Sequence, residues 1–184
     1  MNPPSLKTLV RILGLTMLGC VGTAKARGDV EHLILRTPQS AVTARVAGND
    51  ITSPDIQLTL DGKSVRGRSF GHTVFLTINR DEVGGTVGSQ LTRLVLTRED
   101  ANATSARGNF LGRLMNLRVT PEVIVGTVGA CGYELKADAE GIYQGSRTCG
   151  GIPQRPVSLD LPASLTDRGP ELTMATLALM LTNY

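Results

Sequence analysis

The 184-residue sequence has no tryptophan, and its aromatic side chains are three phenylalanines and three tyrosines: Phe70, Phe75, Phe110, Tyr133, Tyr143 and Tyr184. That scarcity argues against a sugar-stacking platform, against a surface on which bases stack, and against the aromatic girdles of an outer-membrane barrel. Histidine is almost as scarce, with only His32 and His72. Neither stands at ligand spacing, so no metal centre is expected. A serine or threonine nucleophile would have only these two bases to draw on. The alternation of "FGHTVFLT" points His72 outward beside Phe70, and His32 reads as the solvated start of a strand.

An excess of one charge is missing too, once the N-terminus is set aside. Residues 1–26 read as an export signal, with Lys7 and Arg11 as a positive start and the apolar "ILGLTMLGCVG" (12–22) as its core. Ala24-Lys25-Ala26 supplies a small-x-small cleavage site. A second reading competes within this stretch: "LTMLGC" resembles a bacterial lipoprotein box, in which Cys20 becomes the lipidated N-terminus. The leader carries three of the 19 basic residues and no acid, so the remaining chain balances its 16 acidic residues with as many basic ones. Its arginines are scattered, and no nucleic-acid partner is expected.

Phosphate-binding loops are also lacking. "GGTVG" (84–88) and "VGTVG" (125–129) are followed by neither Lys-Ser/Thr nor a helix start, so they read as strand glycines and no cofactor is called for. "NAT" (102–104) matches a glycosylation acceptor, but a bacterial-style leader argues against its use.

What is present is β pattern, twice over. "VRGRSFGHTVFLTINRDEVGGTVGSQLTRLVL" (65–96) lies without a gap over "ARGNFLGRLMNLRVTPEVIVGTVGACGYELKA" (106–137), keeping "GTVG" and several single glycines in register. Each copy has a period of two. A turn at Arg80-Asp81 sets Ile78 opposite Val83, Leu76 opposite Gly85 and Val74 opposite Val87. The second copy repeats this with Val119, Leu117 and Met115 against Ile124, Gly126 and Val128. In "DIQLTLDGKSVRG" a two-residue turn at Asp61-Gly62 is expected to set Leu58 opposite Val65 and Ile56 opposite Gly67.

About a dozen short strands with brief turns predict an all-β fold, an antiparallel meander closing into a barrel or a sandwich. One domain is expected over residues 27–184. The one helical pattern comes last: Pro170 suits a first turn, and "ELTMATLALMLTNY" (171–184) is apolar almost all round. A helix over about 170–183, packed on or inside the sheet, is expected; an edge-sealing last strand is the alternative. Over residues 65–184 this order of elements resembles the tubby and scramblase-type barrels, whose central helix is a comparable segment. The likeness rests on element order and transfers no functional residue.

Cys131 and Cys149 flank "YELKA" (133–137) and "IYQGSRT" (142–148), two strand-like runs about a loop of Ala139, Glu140 and Gly141. Centring the hairpin on Glu140 sets Ala137 opposite Tyr143, Leu135 opposite Gly145 and Cys131 opposite Cys149, as a cross-strand disulfide requires. The same register puts Arg147 on the face of Leu135, so a bulge or an open rim is expected there. The carboxylates Asp61, Asp81, Glu82, Asp100, Asp138 and Glu140 fall in turns, where they support turn formation.

The function expected from all this is that of an exported protein of the bacterial envelope, periplasmic or extracellular, or an outer-membrane lipoprotein if Cys20 is modified. A non-enzymatic binding or structural module is favoured, for an apolar or lipid-like ligand or an envelope protein partner. Contact with the membrane is expected only through the leader or a lipid anchor. The alternative is a hydrolase-type enzyme whose site gathers around His72 or the turn carboxylates.

Overall fold

The computed structural model describes residues 30–182. The leader and Cys20 lie outside the described residues.

The chain forms fourteen antiparallel strands in which each pairs with its neighbours in sequence. They are β1 (Glu31–Arg36), β2 (Ala41–Ala47), β3 (Asp50–Thr52), β4 (Ile56–Leu60), β5 (Ser64–Ser69), β6 (His72–Asn79) and β7 (Glu82–Val87), then β8 (Gln90–Arg98), β9 (Thr104–Phe110), β10 (Arg113–Val119), β11 (Val123–Val128), β12 (Cys131–Ala137), β13 (Tyr143–Cys149) and β14 (Ile152–Asp160). Ile34, Leu35 and Arg36 pair with Asp160, Leu159 and Ser158, which joins β1 to β14 and closes a barrel. Closure leaves no sheet edge unpaired.

The alternation read in the sequence governs which face is buried. In β6, Val74, Leu76 and Ile78 turn inward while Thr73, Phe75, Thr77 and Asn79 turn outward; His72, expected to point outward, shares the inward parity opposite Ser69 and is exposed because it stands at the end of the strand. Most inward positions are apolar and merge into one core, with Ser69, Thr92 and Arg147 among the buried polar exceptions. Outward positions on β5, β8, β9 and β10 include Arg66, Arg68, Arg93, Arg107 and Asn116, the reverse of a lipid-facing barrel.

The expected pairings Val74–Val87, Leu76–Gly85, Ile78–Val83, Met115–Val128, Leu117–Gly126 and Val119–Ile124 all occur. One expected register does not. Leu58 faces Gly67 and Ile56 faces Ser69, because the turn centres on Gly62-Lys63 rather than on Asp61-Gly62. Asp61 stays in the ladder and uses its carboxylate to hold the turn, accepting from the Lys63 amide at 3.0 Å, the Ser64 amide at 2.6 Å and the Ser64 hydroxyl at 2.7 Å. The slip is two residues, so the buried face is kept.

The corrected register reveals a leucine–glycine rung that recurs around the barrel: Leu58–Gly67, Leu76–Gly85, Leu94–Gly108, Leu117–Gly126 and Leu135–Gly145. Its spacing is 18 residues from Leu58 to Leu76 to Leu94, and again from Leu117 to Leu135. The offset between the two sequence copies is therefore two hairpins, one of them lengthened by the loop Glu99–Ala103. Backbone angles follow the same repeat: φ is 142° at Gly85 and 140° at Gly126, 49° at Phe70 and 52° at Leu111.

After β14 come α1 (Ala163–Thr166) and α2 (Pro170–Leu181). Gly169, at φ 101°, redirects the chain, and Pro170 opens the helix. Every residue from Leu172 to Leu181 is buried, which a helix without a polar face requires. It fills the barrel, packing against β5, β6, β7 and β9, and the Tyr133 hydroxyl donates to the Leu181 carbonyl at 3.0 Å.

The barrel thus has two unlike ends. At the helix end are α1, the start of α2 and the turns that carry most of the acidic residues. The opposite end is made of tight turns such as Phe70-Gly71, Gly88-Ser89, Leu111-Gly112, Gly129-Ala130 and Gly150-Gly151.

Candidate functional site

A cleft of about 420 Å³ opens at the helix end, between the start of α2 and three neighbouring turns. Each turn is held by its own side chain. In the β8–β9 loop, Asp100 Oδ1 accepts the Asn102 and Ala103 amides, both at 2.8 Å. At the β10–β11 turn, Thr120 Oγ1 accepts from Glu122 at 3.2 Å and Val123 at 3.0 Å. In the β12–β13 loop, Asp138 Oδ1 accepts from Glu140 at 2.9 Å and Ile142 at 3.0 Å, while Oδ2 takes the Gln144 amide at 2.7 Å.

Apolar surface lines the depth of the cleft: Val119, Tyr143, Leu161, Pro170 and Met174. Polar groups ring it, with Arg98 paired to Glu171 at 2.5 Å across the gap between β8 and α2. Tyr143 donates its hydroxyl to the Thr120 carbonyl at 2.7 Å. Burial, with the Glu122 charge as the smaller cause, pushes the phenol up from its usual 10.0, so it remains a neutral donor.

Several carboxylates at this end are occupied with structure. Asp138 is held below its usual value chiefly by the Ile142 amide. Glu99 is held down by the Ser105 hydroxyl first and then by Arg118, whose Nε lies 2.7 Å from it. Glu31 is lowered by its bonds to Ser164 at the start of α1, the amide of which lies at 2.8 Å. Such groups are anchored anions, a poor starting point for a general acid. What the arrangement suits is the uptake of a small amphiphile, its apolar part on the Val119–Met174 floor and its polar part at the Arg98 and threonine rim.

The residues singled out in the sequence fall at opposite ends. Asp61, Asp81, Glu82, Asp100, Asp138 and Glu140 all lie at the helix end, whereas His72 lies exposed at the glycine-turn end beside Gly88. The barrel does not bring His72 and these carboxylates together. His32 is exposed on β1. Among the described residues no group of three His, Cys, Asp or Glu side chains could hold a metal ion. Cys131 and Cys149 are directly opposite across β12 and β13, with sulfurs 1.98 Å apart. Arg147 is buried in a bulge between Gly145 and Arg147, its Nε donating to Gln154.

No family model, curated protein or solved structure matches this chain. The site therefore rests on its own geometry. Arg98, Tyr143 and the cleft were missed in the sequence, although one signal marks them: the regular 18-residue spacing breaks at Glu99–Ala103, and that longer loop forms a wall of the cleft.

Proposed function

We propose that the protein is a non-enzymatic binding module of the bacterial envelope that takes an apolar or lipid-like ligand in the cleft at its helix end. The observation that carries this reading is the pairing of an apolar floor with three nearby carboxylates, Asp100, Asp138 and Glu171, already committed to turn amides and an ion pair. A rigid closed barrel filled by its own helix supports it further, since such a scaffold holds a surface site in fixed shape. Export fits the directly opposed cysteines of β12 and β13, since oxidised pairs persist outside the cytoplasm.

Titration with a fluorescent fatty acid tests the proposal. Saturable binding is expected, and Ala101→Trp, which puts a large ring on the exposed β8–β9 loop at the cleft mouth, is expected to weaken it roughly ten-fold or more, the loss of about 1.4 kcal/mol of contact. Absence of saturable binding, or equal binding by the variant, would sink it.

A further inference from the structure

The two ends of the barrel differ in charge. Among the described residues, every carboxylate except those of Asp55 and Glu134 lies in or beside the turns and helices of the helix end. At the glycine-turn end, Arg36, Arg68 and Arg113 are exposed, and none is in an ion pair with a described residue. Asp55 is the one described carboxylate in the turns there.

Apolar exposure is polarised in the same direction. The most exposed large apolar side chains are Leu114 at 79 %, Leu91 at 77 % and Ile152 at 66 %. Each is the first or second residue of a strand leaving a glycine turn, in β10, β8 and β14 respectively. Leu91 and Leu114 stand on the outward face two strands apart, across β9, and Ile152 stands four strands beyond β10. What they share is height, immediately above the glycine turns, and side chains at one height meet a plane. At two turns of this end, β5–β6 and β9–β10, Phe70 and Leu111 have φ of 49° and 52°, a conformation bulky residues rarely adopt, and both pack against the core.

We propose that the glycine-turn end docks on the surface of a bilayer containing anionic phospholipid. Arg36, Arg68 and Arg113 meet the headgroup phosphates, and Leu91, Leu114 and Ile152 enter the boundary between headgroups and acyl chains. The acidic helix end faces away, so the molecule's own field orients it on approach. A nucleic acid would leave the leucines unused, and a protein partner seated on the Leu91–Leu114 side would leave Ile152 on β14, Arg36 on β1 and Arg68 on β5 unused.

The absence of tryptophan supplies the test. Single reporters Leu91→Trp and Leu114→Trp at one end, and Ala139→Trp at the other, are introduced into the full chain and mixed with phosphatidylcholine vesicles with or without phosphatidylglycerol. Emission is expected to shift to the blue at Leu91→Trp and Leu114→Trp with anionic vesicles and to stay unchanged at Ala139→Trp, a pattern that a lipid anchor or leader alone would not produce. Arg68→Ala and Arg113→Ala are each expected to lower vesicle affinity about five-fold, and added salt to weaken it further. No shift with anionic vesicles, an equal shift with neutral ones, or a shift at Ala139→Trp overturns the proposal. So does a dimer that forms without vesicles and is abolished by Leu114→Ser, which would assign Leu91 and Leu114 to contact with a second copy of the chain.

Discussion

Gly85 and Gly126 occupy places where a strand has no room for a side chain. A Cβ at Gly85 would lie 2.1 Å from the Phe75 carbonyl oxygen, and one at Gly126 2.1 Å from that of Asn116, while φ near 140° already disfavours any other residue. Gly85→Ala is therefore expected to lower unfolding free energy by roughly 2–4 kcal/mol, whereas Gly84→Ala next to it, whose nearest neighbour is the Glu82 carboxylate at 3.6 Å, should change it by less than about 1 kcal/mol. Urea denaturation of the two variants checks the contrast. The carboxylates make a second prediction at this scale. Glu31, Asp61, Glu99 and Asp138 are all held below their usual values of 4.5 for glutamate and 3.8 for aspartate, mainly by hydrogen bonds. A depressed carboxylate binds fewer protons folded than unfolded, so its contribution is complete above the unfolded value and is lost as the pH falls through the folded one. The melting temperature is expected to hold steady above about pH 5 and to drop below about pH 4, with a shallower drop in Asp138→Asn, as followed by thermal melts across that range.

Hairpins were the most legible elements, because a period of two with a central turn fixes both pairing and face. The Cys131–Cys149 hairpin could be read from equal offsets about Glu140, and the bulge beside Arg147 from the clash of a charge with the core face. The Asp61-Gly62 turn misled for a physical reason: aspartate before glycine can be the first turn residue or, as here, the last ladder residue capping the turn with its side chain. Only the Ser64 contacts distinguish the two. The staple itself gives the prediction at this scale. Closing a loop across a separation of 18 residues stabilises a fold by about 3 kcal/mol through the unfolded chain. Cys131→Ser with Cys149→Ser is expected to lose about that amount, and a reductant should bring the parent chain down to the same urea midpoint. A smaller loss would mean that the β12–β13 ladder already restrains these ends when unfolded.

At the scale of the molecule, barrel and sandwich could not be separated in the sequence, since closure depends on the β1–β14 pairing of two segments far apart in the chain and neither carries a motif. The cleft was hidden for the same reason, because its walls are successive turns that only closure gathers around α2. The helix, by contrast, showed its need for cover through its lack of a polar face, which left open whether it packed on or inside the sheet, and its burial sets the largest energetic stake in the fold. Leu172, Met174, Leu177, Leu179, Met180 and Leu181 are each no more than 3 % exposed. At about 1.5–3 kcal/mol per side chain, their combined burial matches or exceeds the roughly 5–15 kcal/mol by which a whole domain is normally stable. Fourteen strands cannot collapse onto the space left by a missing helix without breaking the register of every rung, so the barrel without α2 should be a loosened state rather than a smaller native one. A chain ending at Gly169 is accordingly expected to lose its cooperative thermal transition and to bind a hydrophobic dye while keeping much of its β signal in far-ultraviolet circular dichroism. Leu177→Asp in the full chain, which buries a charge at the same site without shortening anything, should move in the same direction. If the truncated chain instead unfolds cooperatively at the parent's midpoint, the strands alone carry the fold and the helix is only a passenger in the lumen.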